Sequence, residues 1–332
     1  MSISGPLVDR LGRVHTNLRV SVTDRCNIRC LYCMPEHVQF MPRAEILSFE
    51  EIERFVRVAA QLGVNKLRLT GGEPLVRHDL PKLVEMLAKI SGIEDIALTT
   101  NGILLAGHAV ALKEAGLHRV NVSLDTLDEE TYQQISRREG VARITEGILA
   151  AQQAGFEKVR VNAVVMRGLN DRDIVDLGRF SREQGVEMRF IEFMPLDGDN
   201  AWQEDVIVTG AEVRKRLEEA FGPLVSATRL DESQPAMDYK FADGVGDIGL
   251  INPVSEPFCE QCNRLRITAE GKIRNCLFSI EEWDARELLR GGASDEEIAH
   301  LMQSAVTAKK AGHGIDDPNF QRPERAMYQI GG

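Results

Sequence analysis

Residues 17–35, NLRVSVTDRCNIRCLYCMP, decide the reading of this chain. The first six alternate polar and apolar side chains, the period-two pattern of a half-buried strand. Directly after it come Cys26, Cys30 and Cys33, spaced C-x3-C-x2-C. Three thiols in eight residues at the end of a strand point to a metal or catalytic site.

The same pattern of short β-rich runs recurs outward from this segment. Residues 66–70 (KLRLT), 95–100 (DIALTT), 119–124 (RVNVSL), 158–165 (KVRVNAVV) and 188–193 (MRFIEF) read as further strands. Between them lie stretches with apolar residues three and four apart, such as 50–62, 80–90 and 174–184, which read as helices. Ser48 and Glu51 have the spacing of a capping box. Gly63, Gly116, Gly155 and Gly185 suit helix stops. Strands separated by single helices imply parallel pairing through right-handed crossovers. Six units up to about residue 220 are too few for a closed eight-fold barrel. The count fits an α/β fold of the partial (β/α)6 barrel kind, with a flat doubly wound sheet as the competing arrangement. Strand ends are polar throughout: Asp24, Thr70–Gly71–Gly72–Glu73, Thr99–Thr100–Asn101, Ser123–Asp125 and Glu192. Carboxyl ends of parallel strands are where α/β folds place their sites.

Past residue 220 the character changes. Residues 226–247 are polar and read as an irregular connection. A short strand near 248–251, a hairpin over RLRITAEGKIRNCLF with its turn at Glu270–Gly271, and helices near 280–289 and 295–309 follow. Division into a core, 1–225, and a smaller C-terminal α+β region, 226–332, is expected.

The net charge of −11 is opposite to that of a non-specific nucleic-acid binder. The sequence shows no apolar signal segment and no run long enough to span a membrane. A cytoplasmic location, without nucleic-acid or membrane partners, is the expectation. There thiols stay reduced.

Cys259 and Cys262 form C-x2-C, and Cys276 follows after thirteen intervening residues, so no cysteine is left over. Each group offers three thiolates, whereas structural zinc normally takes four ligands. Three thiolates on a four-iron cluster leave one iron open to bind a small molecule. Zinc with borrowed carboxylates, or plain buried cysteines, are the competing readings. They compete more strongly for the second group than for the first.

The cysteine motif with Tyr32 before its third thiol, together with Gly71–Gly72–Glu73–Pro74, resembles the radical S-adenosylmethionine enzymes. More narrowly, LRVSVTDRCNIRCLYCMP, LRLTGGEPLVR, TTNG, NVSLD, RFIEFMP, CNRLRIT and the terminal Gly-Gly resemble the GTP 3′,8-cyclase family of molybdenum cofactor biosynthesis over nearly the whole chain. The resemblance implies a partial (β/α)6 barrel and two [4Fe–4S] clusters. Cys26, Cys30 and Cys33 would hold the one that chelates S-adenosylmethionine. Cys259, Cys262 and Cys276 would hold one facing the guanine base. Tyr32, Gly72, Ser123 and Met194 would line the cofactor pocket. Arg19, Lys66, Arg68, Thr99, Arg160, Arg189, Arg264 and Arg266 would surround GTP. The family often has Lys where Arg160 stands, so charge is kept but geometry differs. Gly331 and Gly332 would enter the catalytic pocket. The implied reaction takes hydrogen from C3′ of GTP with a 5′-deoxyadenosyl radical and closes C3′ onto C8. Implied partners are GTP, an electron donor, the next enzyme of the pathway and a second copy in a homodimer.

The basic set also makes sense without the resemblance. Lys66 with Arg68, and Arg264 with Arg266, alternate within strands, so each pair shares a face. Bidentate arginine contacts suit phosphates. Another radical enzyme with an auxiliary cluster, such as a peptide-modifying dehydrogenase, would need a peptide groove in place of a basic pocket. A simple electron carrier has no need of the GGEP segment.

Overall fold

The computed structural model describes residues 5–198, 202–228, 231–315 and 317–331. Its elements are β1 (Asn17–Ser21), α1 (Phe49–Gln61), β2 (Lys66–Thr70), α2 (Leu80–Ala88), β3 (Asp95–Thr100), α3 (Ala109–Glu114), β4 (Arg119–Ser123), α4 (Glu129–Ser136), α5 (Val141–Gln153), β5 (Val159–Val165), α6 (Ile174–Gln184), β6 (Glu187–Glu192) and α7 (Gly210–Phe221). Then follow β7 (Leu224–Ser226), β8 (Met237–Phe241), β9 (Asp247–Ile251), β10 (Arg264–Ile267), β11 (Lys272–Arg274), β12 (Trp283–Asp284), α8 (Ala285–Arg290), α9 (Asp295–Thr307) and α10 (Met327–Ile330).

All six expected core strands form. They lie side by side in chain order, parallel, from β1 to β6. In β1 and β2 the alternation sorts the side chains. Leu18, Val20, Leu67 and Leu69 are fully buried in the main core, while Arg19 and Arg68 stand on the other face. Ser48 and Glu51 make the reciprocal capping box at the start of α1. Gly63, Gly116, Gly155 and Gly185 all have positive φ, the backbone a helix stop needs.

The parallel run extends beyond six strands. β10 pairs in parallel with β1, and β9 with β6, so C-terminal strands join both edges. Antiparallel β11 and β12 continue one side, and β8 and β7 the other. Residues from all eight parallel strands line a single cavity, which requires the sheet to curl around it. The result is a partial barrel, with an α+β region completing its walls.

Two C-terminal expectations are corrected. The segment read as an irregular connection over 226–247 contains β8, paired with both β7 and β9. Its side chains alternate across the sheet, with Tyr239 and Phe241 as the buried members and Lys240 between them exposed. The helix read over 280–289 begins only at Ala285, because Trp283 and Asp284 pair with β11 and Asp284 caps the helix by accepting from the Glu287 amide at 3.2 Å.

Candidate active site

The loop between β1 and α1 carries the first cysteine group, and its backbone is pinned from several sides. The amides of Arg29 and Leu31 donate to the carbonyls of Ser136 and Ile135 at the end of α4, at 2.9 and 3.0 Å. Cys33 and Met34 both donate to the Cys30 carbonyl at 2.9 Å, a tight turn that brings the three thiols to one cavity wall.

The GGE run explains why two glycines follow β2. The amides of Gly72 and Glu73 donate to the carbonyls of Thr23 and Arg25, both at 2.8 Å, so this run lies directly against the chain leading into Cys26. A Cβ on Gly71 would stand 2.5 Å from the Thr23 carbonyl oxygen, and one on Gly72 would stand 2.4 Å from that of Arg25. Both contacts are with backbone, which cannot swing aside. Gly72→Ala is therefore expected to push the cysteine loop outward. Overpacking of this kind costs about 1–3 kcal/mol. The check is iron content after anaerobic reconstitution together with thermal unfolding. A variant with full iron and an unchanged melting temperature would remove this role for Gly72.

Glu73 is fully buried. Its carboxylate accepts from the Leu75 amide at 2.9 Å, the Thr100 hydroxyl at 2.7 Å and the Asn101 amide at 2.6 Å. Burial outweighs these donors and pushes its pKa up to about 7. It thereby ties the ends of β2 and β3 together. Tyr32 donates to Asp125 at 2.8 Å, and Asp125 also accepts from the Val164 amide at 2.8 Å. Burial raises Asp125 to about 6. Burial likewise raises the Cys26 thiol to about 11 and pushes Cys30 and Cys33 further up. The chain alone thus favours thiols here, and a cationic metal centre is what would draw out thiolates.

Across the same cavity stand the cations. Arg19 on β1 is the register partner of both Arg266 on β10 and Arg68 on β2. Three guanidinium groups therefore occupy one row on adjacent strands, about 4.8 Å apart at the backbone. Burial, then Arg266 and Arg264, push Arg19 well below the usual arginine range. Burial, then Arg19 and Arg189, do the same to Arg68. Arginine does not give up its proton in practice, so the repulsion persists until an anion relieves it. Arg189 and Arg264 line the same cavity. Gly249 faces Arg189, where a Cβ would press on its Cγ at 2.9 Å, so the glycine leaves room for that side chain.

Among the residues expected at the site, Cys26, Cys30, Cys33, Tyr32, Gly72, Thr99, Ser123, Met194, Arg19, Arg68, Arg189, Arg264 and Arg266 line this cavity. Lys66 and Arg160 are not among its lining residues. Lys66 pairs with Asp231, and Arg160 is held at 3.2 Å by buried Glu187, which also binds Arg189 and Lys158. Gly331 arrives at the end of α10. Its carbonyl accepts from Arg266 at 2.9 Å, and a Cβ there would meet the Thr70 hydroxyl at 2.7 Å and the Ser21 Cβ at 2.8 Å. Gly332 lies outside the described residues.

The expected hairpin brings the second cysteine group together. β10 and β11 are an antiparallel hairpin, so Cys262 before it and Cys276 after it return to the same end. Cys259 opens the short turn that leads in, and the Cys262 amide donates to its carbonyl at 3.1 Å. These three thiols line a neighbouring cavity, while Phe258, Arg264 and Leu277, beside them in sequence, line the first. Lys309, after α9, escaped the sequence reading because only the fold brings it here. Its ammonium donates to the carbonyls of Arg264 at 2.8 Å and Asn275 at 2.6 Å. Burial works to raise Cys262, yet Arg264 and Lys309 bring it down to about 6. Asn162, on β5, was likewise missed and lines the first cavity. Its only sequence signal is a polar residue two places after Arg160 in a strand whose other members are apolar.

None of the six cysteines is in a disulfide. Among the described residues no three His, Cys, Asp or Glu side chains converge as a single ion would require.

Comparison with known proteins agrees with this geometry. A family model described as the radical SAM superfamily matches residues 20–181, and one described as Molybdenum Cofactor Synthesis C matches 186–315. A protein of Rhodopirellula baltica named GTP 3′,8-cyclase is 52% identical, over 98% of this chain and 92% of its own. The chain belongs to the GTP 3′,8-cyclase family. A GTP 3′,8-cyclase of Streptomyces coelicolor is 45% identical over 98% of this chain and 96% of its own. The crystal structure of Streptococcus suis SuiB bound to precursor peptide SuiA superposes with a TM-score of 0.61 at 16% identity, covering 91% of this chain and 69% of that one. That likeness concerns the fold, and it places this GTP 3′,8-cyclase family member on the partial-barrel scaffold. Among the described residues no helix is long and apolar enough to cross a membrane.

Proposed function

We infer that this chain is a radical S-adenosylmethionine GTP 3′,8-cyclase, a lyase catalysing the first step of molybdenum cofactor biosynthesis by converting GTP to 3′,8-cyclo-7,8-dihydro-GTP. The observation that carries the reading is one cavity with three cysteines on one wall and the Arg266–Arg19–Arg68 row on another. A site built for a radical-generating cluster alone has no use for that row, whereas a triphosphate supplies the missing negative charge.

Cys26, Cys30 and Cys33 would hold a [4Fe–4S] cluster with S-adenosylmethionine at its open iron. When bound and reduced, this pair supplies a 5′-deoxyadenosyl radical. The chain's own residues then position and enclose. Tyr32, Gly72, Ser123 and Met194 are proposed to line the cofactor's place. Arg19, Arg68, Arg189, Arg264 and Arg266 are proposed to neutralise the phosphates, with Thr99 beside the nucleotide. Lys66 and Arg160 would join only by leaving Asp231 and Glu187. Gly331 would fill the channel by Thr70, where a side chain would collide, and Gly332 is proposed to act with it in catalysis.

We also propose a second [4Fe–4S] cluster on Cys259, Cys262 and Cys276, favoured by the cationic surroundings that lower Cys262. Two clusters predict about eight irons per chain against about four for one. The division at residues 1–225 and 226–332 is retained as a functional one, the second part supplying this cluster and the tail. A cytoplasmic location, a homodimer, a protein electron donor and hand-over to the next enzyme of the pathway complete the proposal.

The test is anaerobic. Reconstituted protein is given S-adenosylmethionine, dithionite and GTP, and 5′-deoxyadenosine and cyclised nucleotide are measured together. Both should depend on GTP. Cofactor cleavage stimulated by a different substrate and not by GTP would reject the cyclase.

A further inference from the structure

The second cysteine group is fastened by a buried cation. Lys309 follows α9 and is buried, with its ammonium donating to the Arg264 carbonyl at 2.8 Å and to the Asn275 carbonyl at 2.6 Å. These carbonyls lie on the two arms of the β10–β11 hairpin. Arg264 stands two residues after Cys262, and Asn275 directly precedes Cys276. An ammonium has three N–H donors. The two carbonyls take two of them, and the third serves the Cys262 sulfur.

Among the described residues no carboxylate pairs with Lys309. Arg264 beside it is a second cation. His15 also faces it, but burial, and then Lys309 itself, lowers His15 to about 4, so that ring is neutral. Asp9, the acid that touches His15, is taken up by Arg13 at 2.6 Å. Buried charges are retained where they are paired. The groups left to pair with Lys309 are the sulfurs of Cys262 and Cys276, which line one cavity with it and with Cys259. Neutral thiols supply no negative charge. Three thiolates on a four-iron cluster do, and one-electron reduction adds one more negative charge.

We propose that Lys309 is a built-in counter-ion of the second cluster, a positioning residue that closes the open end of the hairpin and sets a fixed positive charge against the cysteine sulfurs. That charge favours the reduced form, so the second cluster takes an electron more readily than it would without it. Lys309 keeps its proton, and no bond forms or breaks. The proposal rests on the reading that Cys259, Cys262 and Cys276 hold a cluster.

The test is an anaerobic redox titration of the iron-loaded protein with dithionite, followed by the EPR signal of the reduced clusters, with iron counted on the same sample. K309Q keeps an amide donor for the carbonyls and removes the charge, whereas K309R keeps the charge. K309Q is expected to weaken reduction of one cluster by ~10-fold, a midpoint ~59 mV lower for one electron, and to leave the other cluster's midpoint in place. In a C30A background, where the second cluster is the one retained, the same shift should appear alone. K309R should stay near the unaltered midpoint. Loss of about four irons from K309Q but not from K309R also supports the counter-ion. Unchanged midpoints in K309Q at full iron overturn it. Equal effects of K309Q and K309R overturn it too, since Lys309 would then only fasten the hairpin. An unaltered protein that takes up about four irons and shows a single wave rejects instead the second cluster itself.

Discussion

Cys30→Ala is expected to reduce GTP-dependent 5′-deoxyadenosine formation below detection and to lower iron by about four per chain. The backbone argument predicts little else. Cys30 contributes its carbonyl to the turn through the amides of Cys33 and Met34, and alanine keeps that carbonyl. Loss of the sulfur from a partly exposed site costs ~1 kcal/mol of folding stability, or ~2 °C in a chain of this size. The chemical loss has no such buffer. Two remaining thiols leave a second iron without a protein ligand. Burial holds the Cys26 and Cys33 thiols above their ordinary value, so both need the metal to deprotonate. Iron analysis, the cluster's visible absorbance and product assay are read on the same sample. Full iron with normal turnover would show that the first cluster is held elsewhere.

Arg266→Ala should be nearly as damaging for a different reason. Arg266 completes the cationic row and also donates to the Gly331 carbonyl at 2.9 Å. Its removal weakens the proposed phosphate site and releases the tail in one change. Truncating a buried hydrogen-bonded charge costs about 2–5 kcal/mol, which is on the order of 30- to 4000-fold in kcat/KM. Arg266→Lys keeps the charge but loses the planar fork, so it should recover part of the KM effect and little of the tail anchoring. Steady-state kinetics with GTP, beside limited proteolysis of the C-terminus, separates the two contributions. Unchanged kinetics with a protected tail would remove Arg266 from both.

The core strands were readable because period-two alternation survives wherever one face meets helices and the other a polar lumen. β1 and β2 show it plainly: leucines and valine on one face, Arg19, Lys66 and Arg68 on the other. β8 was not readable. It is a short strand within a polar segment, and its pairing depends on β7 and β9 in place of a long apolar signal. β12 is two residues long and is defined by its partner β11. Lys309 and Asn162 had no motif to mark them.

The six cysteines, their two spacings, the GGEP run and the alternating basic pairs were all present in the sequence by itself, because each is a local pattern. Local spacing cannot say which distant segments meet. Tertiary structure decided that Arg266, from the last third of the chain, stands beside Arg19 and completes the row with Arg68. It also set the expected hairpin between Cys262 and Cys276 against β1, placed Lys66 and Arg160 in ion pairs away from the cavity lining, and seated Gly331 where only a hydrogen fits. The physical reason is the curled sheet. Strands far apart in sequence become neighbours at ~4.8 Å spacing, and charges that the sequence lists separately are forced into one cavity where only a shared anion relieves them.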